Sequence, residues 1–525
     1  MLLDFGATLG REGKEEEKTL SYYKIIFLSG LVLAGVWAPA PAPTVATVTV
    51  DVNSLGKVIP GDFNGFSTQF SRSVENTYLG EASSPIYMLG GARNPNRVFY
   101  QLMKNLGGGT LRSVDGYVSE VCWNPSEAPH PDACPFAMTD DFVEGYAKAS
   151  AETGWGILVA INLAQNSASW AVQFGARFAK AARATSGSKL LGFEIGNEPD
   201  LYPTAILFKR TTIRPPGYVW RDLVNDWKPY IAAFQSNADT AGIPLVGPAY
   251  DQSGWAESTL GSFIDAVGTN HLGFVTVHHY PTSRCGGHVV SIEELLSPER
   301  VDTFVEKAKG WVATAHSRGL DLVHGETNSV SCEGEEGVSD VFASAVWGLD
   351  WLFTNFNVGM RRINFLANNS YYSPVFVTTA ANPDDDKLIY LNFVAPLYYA
   401  MYTFSTMAQN KHVLPAAIKT EANIKAYTVR ETSSGPVTVF LINKDLRAAG
   451  KVVITPSVRM GKGSLLTVQS PSLDSKIVRF GGVSFDNRTG LLAGSPATTP
   501  ILPDESGNYS IDLANASIAV LTLAP

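Results

Sequence analysis

Two glutamates sit where apolar runs stop abruptly, and together they could carry out substitution at an acetal carbon. The first is Glu198, in Leu191-Gly-Phe-Glu-Ile-Gly-Asn-Glu-Pro-Asp200, where an apolar stretch ends in Asn197, Glu198 and Pro199. Proline cannot continue a strand's hydrogen bonding and fixes the direction of the loop it opens, which aims the carboxyl group before it. The second is Glu326, in Asp321-Leu-Val-His-Gly-Glu-Thr-Asn-Ser329. A protonated carboxyl can release an oxygen leaving group while an ionised one attacks the carbon, provided that their neighbours separate their proton affinities. Carboxyl groups roughly 5 Å apart do this by double displacement with retention; a wider gap admits water and inverts.

Other polar residues gather at, or just beyond, the ends of apolar runs: Gln69, Arg112, Asn197, Tyr250, His279-Tyr280 and Tyr371-Tyr372. Asn197 is suited to hydrogen-bond a sugar 2-hydroxyl. Arg112 and Tyr280 are candidates to bond Glu326 and hold it ionised and aligned, although Arg112 reads equally well as half of a structural ion pair. The tandem His278-His279 raises metal binding, but adjacent strand residues point to opposite faces, so one imidazole is expected among the helices. No zinc-type Cys/His spacing accompanies the pair, and there is no G-x-S-x-G elbow. We therefore expect no metal, no cofactor and no serine-triad chemistry.

The elements that must position these residues follow from the pattern of short apolar runs alternating with helix-like stretches. Eight runs can be counted: Gly65-Phe70, Gly109-Val114, Gly156-Leu163, Leu190-Ile195, Pro244-Pro248, Phe274-His279, Leu322-Gly325 and Ile363-Leu366. Helical spacing recurs between them, as in Asp141-Thr153, Ala168-Thr185 and Ser297-Arg318. The pattern predicts a (β/α)8 TIM barrel over residues 59–410, an architecture that places chemistry at the C-terminal ends of the strands. Glu198 then ends strand four and Glu326 strand seven, facing each other across the mouth. After the amphipathic Val394-Met407 the period becomes two, in Lys425-Arg430, Pro436-Ile442, Lys451-Thr455 and Ser517-Leu523. Residues 411–525, joined by the alternating stretch within 44–58, are expected to form a C-terminal antiparallel β-sandwich.

At 525 residues, 45% of them hydrophobic and 17% charged, the chain has the material for a folded barrel plus a smaller module. Lys+Arg 40 against Asp+Glu 49 gives a net charge of −9, so nothing in the net charge would draw the protein to nucleic acid or anionic membranes, and neither is expected as a partner. The densest basic spots are short, such as Arg361-Arg362, so a groove for a polysulfated chain is not expected. Residues 1–43 read as a signal or leader segment: Lys24, an apolar run from Ile25 to Val36, then Ala38-Pro-Ala-Pro-Ala-Pro43. The run is shorter than the roughly 20 apolar residues of a spanning helix. Secretion without stable membrane insertion is the expectation, with a signal anchor as the alternative because Glu15-Glu16-Glu17 precedes the run. Four cysteines suit two disulfides in an oxidising compartment, and local spacing suggests Cys122 with Cys134 and Cys285 with Cys332. Sequons at Asn368, Asn487, Asn508 and Asn515 fit the same compartment. Nothing in the sequence fixes an oligomeric state.

The motifs Gly196-Asn-Glu-Pro199, His278-His-Tyr-Pro281 and Gly325-Glu-Thr-Asn328 resemble those of the clan A retaining glycosidases. Within that clan, Gly325-Glu-Thr-Asn-Ser-Val-Ser-Cys332 and Tyr371-Tyr372 look most like glycoside hydrolase family 79, particularly its fungal exo-acting β-glucuronidases. The likeness runs over nearly the whole chain. It implies that Glu198 is the acid/base and Glu326 the nucleophile, supported by Asn197 and Tyr280. It further implies that Gln69, Tyr250 and Tyr372, with Tyr371 beside it, line the sugar subsite, Tyr372 holding the substrate carboxylate. A phenol can donate to a carboxylate without adding a full charge. The implied activity is retaining hydrolysis of terminal β-glucuronic acid, or its 4-O-methyl form, from a glycan. The alternatives are a clan A β-glucosidase or β-xylosidase, a heparanase-like endo-β-glucuronidase, and a secreted carbohydrate-binding protein without activity.

Overall fold

Runs such as Gly-Ile-Leu-Val-Ala-Ile at 156–161 are buried on both faces, as a strand between a barrel interior and a layer of helices must be. The computed structural model describes residues 43–68, 88–113, 121–123, 136–164, 168–204, 213–252, 254–383 and 387–525. The expected leader, Gln69 and Cys134 lie outside them.

Among the described residues, eight parallel strands close into a barrel. In chain order they are Asn64–Thr68, Thr110–Ser113, Gly156–Ile161, Lys189–Ile195, Leu245–Tyr250, Leu272–His278, Leu322–Thr327 and Ile363–Ala367, called strands one to eight below. Strand eight pairs with strand one and closes the ring. Each strand falls on one of the eight apolar runs. Inward residues Leu158, Val246, Phe274 and Val323 form a small inner cluster, whereas Phe193, Ile195, Val275 and Val277 face the helices and join the main core. Those helices include Asp140–Thr153, Ala168–Ala184, Trp220–Ser236, Trp255–Val267, Pro298–His316 and Phe342–Val358. The first ends at Gly154, whose φ of 79° supplies the left-handed stop that a glycine adopts without strain.

Two strands depart from regular pairing near the mouth. Strand five shifts register against strand six between Pro248 and Tyr250, at Ala249 with φ 53°. Strand seven shifts between His324 and Glu326. A bulge of this kind reverses which side chains face inward beyond it, and both shifts matter for the site.

The C-terminal region forms two packed sheets. One runs in the order Ala416–Thr420, Thr44–Val50, Gly450–Pro456, Tyr509–Leu513. The N-terminal strand thus completes a sheet of the C-terminal module, and it does so with a correction: its pairing with Gly450–Pro456 is parallel, so this sheet is mixed. The other sheet centres on Ile424–Arg430, Val437–Asn443, Ser517–Leu523 and Gly463–Gln469. Val437–Asn443 is buried throughout. Val437, Val439 and Leu441 pack into the sandwich core with Val48, Ile454 and Ile511, while Phe440 packs on Phe353 of helix Phe342–Val358 at 4.9 Å between centroids. That helix is buried along most of its length because it lies between barrel and sandwich. Arg361 and Arg362, the basic pair noted in the sequence, are both spent on Asp62. Among the described residues no helix is long and apolar enough to cross a membrane.

Candidate active site

Strand four sends Glu194 into the barrel and then leaves it at Gly196, φ 87°. Glu198 follows in the left-handed region, φ 47°, at the head of the short turn Pro199–Leu201. Its backbone N–H donates to the Ala249 carbonyl at 2.9 Å, which ties the loop after strand four to the bulge of strand five. A non-glycine residue held in this conformation is strained, a feature that concentrates at functional positions. On strand seven, regular alternation would point Glu326 toward the helices, since Val323 faces inward. The register shift turns Glu326 to the mouth and Thr327 outward, where Thr327 Oγ1 accepts from Trp351 Nε1 at 3.2 Å.

The two carboxylates meet in one network. Glu326 Oε1 accepts from the Tyr280 hydroxyl at 2.7 Å, and Oε2 from Arg112 Nη1 at 3.1 Å. Arg112 also donates Nη1 to Ser67 Oγ at 2.9 Å, Nη2 to Asn197 Oδ1 at 2.7 Å and Nε to Glu194 Oε2 at 2.5 Å. His278 Nδ1 stands 2.9 Å from Glu198 Oε1 and 3.8 Å from Glu326 Oε2. Ligand-type atoms of Glu198, His278 and Glu326 all lie within 4.8 Å of one another. A cation could bridge such a set, but the Arg112 guanidinium already brings a positive charge to Glu326 and opposes a second. Fully buried Arg112 and a bonded phenol favour the ionised form of Glu326. The Glu198 side chain is 15% exposed against 7% for Glu326, so Glu198 is the more accessible of the two.

Burial, and then the charge of Glu326, push the Tyr280 hydroxyl well above its ordinary range, so it remains a proton donor. Asp251, just past strand five, is pushed up to about 8, first by burial and then by Glu198. Its N–H donates to Asp200 Oδ1 at 3.1 Å, and Gln252 Oε1 accepts from the Tyr280 N–H at 3.3 Å. The segment 249–252 therefore stitches the Glu198 loop to the Tyr280 loop. His279 is the histidine that goes to the helices, stacked on Phe304 at 5.1 Å, and burial drives its imidazole well below the usual range.

The network brings together Glu198, Glu326, Asn197, Tyr280 and Arg112. Tyr250 is a correction: fully buried, it packs on Trp255 at 5.6 Å and Phe263 at 5.9 Å, because the bulge at Ala249 turns it to the helix side. It does not line a sugar subsite. Tyr372 clusters with Tyr280 and Leu366, and its hydroxyl accepts from Asn368 Nδ2 at 3.4 Å. Tyr371 reaches Glu336 Oε2 at 3.3 Å. Asn368 is buried and bonds Ser370 and Tyr372, so its sequon is not an accessible acceptor. Asn487 and Asn515 are exposed and Asn508 half-buried. The Cys285–Cys332 disulfide is present, joining the loops that follow Tyr280 and Glu326. Sequence reasoning missed three residues: His278, Glu194 and Asp251. Alternation did carry a signal for His278, since sending His279 outward sends its neighbour inward.

The fold of this chain is shared with solved glycoside hydrolases. No family model matches the chain. Its fold is similar to that of a 4-O-α-L-rhamnosyl-β-D-glucuronidase from Fusarium oxysporum 12S, with TM-score 0.67 and 14% identity over 90% of this chain and 100% of that one. A GH51 arabinofuranosidase from Xanthomonas axonopodis pv. citri gives TM-score 0.64 and 12% identity, covering 92% and 100%. In sequence the chain is similar to fungal β-glucuronidases, in agreement with the resemblance read from the motifs. It is 26% identical to a β-glucuronidase of Aspergillus niger over 370 residues, 64% of this chain and 61% of the relative. It is 23% identical to one of Neurospora crassa over 203 residues, 36% of each. The matches span less than two thirds of either relative's length.

Proposed function

We propose that this protein is a retaining exo-β-glucuronidase that removes terminal β-glucuronic acid, or its 4-O-methyl form, from a secreted glycan. The observation that carries the mechanism is the placing of Glu198 and Glu326 oxygens within 4.8 Å of each other, close to the roughly 5 Å carboxyl separation of double displacement and short of the wider gap that inversion uses. In the first step a Glu326 oxygen bonds the anomeric carbon as the glycosidic C–O bond breaks, and Glu198 gives its proton to the departing oxygen. In the second, Glu198 takes a proton from water, whose oxygen displaces Glu326 and regenerates both groups. The bonds from Arg112 and Tyr280 hold Glu326 ionised and aimed. Asn197, its carbonyl oxygen held by Arg112, keeps its amide N–H for the sugar 2-hydroxyl.

The sugar assignment rests on the sequence likeness to fungal β-glucuronidases, with Tyr372 as the group that would hold the uronate. The leader pattern and exposed sequons at Asn487 and Asn515 support secretion. The test is turnover of aryl β-glucuronide beside aryl β-glucoside, with Glu326→Gln as blank and NMR of the first-formed anomer. Preference for the glucuronide and a β-product support the proposal. Preference for the glucoside would remove the uronate, and an α-product would remove double displacement.

A further inference from the structure

Strand four reads Lys-Leu-Leu-Gly-Phe-Glu-Ile, and its one acidic residue, Glu194, is completely buried inside the barrel. A buried carboxylate costs stability that a hydrophobic residue of the same size would not, so its presence in an apolar strand calls for a reason. Glu194 Oε2 lies 2.5 Å from Arg112 Nε, and Oε1 has no hydrogen-bond partner among the described residues. One edge of the guanidinium is thereby fixed. Because the guanidinium is planar, fixing Nε also fixes where Nη1 and Nη2 point. Nη1 meets Ser67 and Glu326, and Nη2 meets Asn197.

We propose that Glu194 is a positioning residue for the reaction at Glu326, acting through Arg112; this rests on Glu326 being the nucleophile. It has two effects. It holds the guanidinium so that a single side chain aligns both Glu326 and Asn197. It also shares the cation between two carboxylates, so Glu326 receives a hydrogen bond without its charge being fully neutralised and stays a competent nucleophile. The charged and titratable groups around this cluster are Arg112 from strand two, Glu198 beyond strand four, Asp251 beside Glu198, His278 and Tyr280 at the end of strand six, and Glu326 on strand seven.

The experiment is the pH dependence of kcat and kcat/KM for Glu194→Gln, on whichever aryl β-glycoside the wild type turns over, with thermal unfolding measured alongside. With the charge of Glu194 removed, the full cation falls on Glu326 and stabilises its ionised form. The acid limb should then move down by about one pH unit, and kcat should fall about 100-fold as alignment is lost. A lowered melting temperature with the acid limb unmoved, or wild-type kinetics, overturns the proposal and leaves Glu194 a packing residue. If Glu194→Gln does not fold, Glu194→Asp takes its place: charge kept but reach shortened, it should lower kcat with the acid limb in the wild-type position. A shifted limb or wild-type kcat in that variant overturns the proposal. Glu326→Gln in the same assay separates the two readings, since activity there removes Glu326 as nucleophile whatever Glu194 does.

Discussion

His278 Nδ1 lies 2.9 Å from Glu198 Oε1, making a fully buried imidazole the immediate neighbour of the proposed acid/base. The same nitrogen is 3.8 Å from Glu326 Oε2. With a hydrogen on Nδ1 the ring can donate to Glu198, and it lies close enough to Glu326 for both carboxylates to act on it.

His278→Phe keeps a ring in the space and removes the donor. A hydrogen bond to a charged group is worth about 1.5–3 kcal/mol, so kcat/KM should fall about 10- to 150-fold. The check is a series of aryl glycosides. Loss relative to wild type should be greatest for poor leaving groups, which depend most on Glu198; an equal fold-loss across the series would detach His278 from the acid/base.

Tyr280→Phe removes the 2.7 Å bond to Glu326 Oε1 while leaving the ring against Tyr372. The same magnitude of loss, about 10- to 150-fold in kcat/KM, is expected. Melting temperature should change little, and a pre-steady-state burst measures whether formation of the glycosyl-enzyme is the step that slows.

Asp251 holds its proton up to about pH 8 in the folded chain, through burial and the charge of Glu198, against an ordinary value of 3.8. Between those values the native state binds a proton that the unfolded chain releases, so this group lowers stability as pH rises from about 4 to about 8. Asp251→Asn imitates the protonated form. Its melting temperature should match the wild type near pH 4 and exceed it at pH 8, as scanning calorimetry at the two pH values can measure.

Lys444 Nζ and Asp350 Oδ2 form a fully buried pair at 2.5 Å, and Tyr427 donates to Asp350 Oδ1 at 2.6 Å. The pair pins helix Phe342–Val358 of the barrel to the sandwich. Lys444→Met leaves Asp350 buried without its cation and should cost about 3–5 kcal/mol. The double variant Lys444→Met/Asp350→Leu should recover most of that in denaturant unfolding.

The barrel was legible because its strands are buried on both faces and so appear as continuous apolar runs, as in Gly156–Ile161. The sandwich was legible from alternation, as in Thr44–Val50 with Ala46, Val48 and Val50 inward. The parallel pairing of that strand with Gly450–Pro456 was not, because alternation is the same for either direction. The hairpin of Val375–Ala381 and Leu388–Val394 also escaped notice: its second strand leaves Leu388, Ile389, Leu391 and Phe393 exposed, so it lacks a polar face to reveal the period.

At the site, sequence by itself determined which residue types end the strands: Glu198 before Pro199, Glu326 after its apolar run, and Arg112 and Tyr280 at other strand ends. Side-chain direction at those ends was decided only by tertiary structure. A single register shift reverses inside and outside, and such shifts come from pairing with neighbours distant in the chain. The bulge at Ala249 sends Tyr250 to the helices, and the one beyond His324 brings Glu326 to the mouth. Glu194 was hidden for a related reason: an acidic residue inside an apolar strand is explained only by the Arg112 that another strand carries to it.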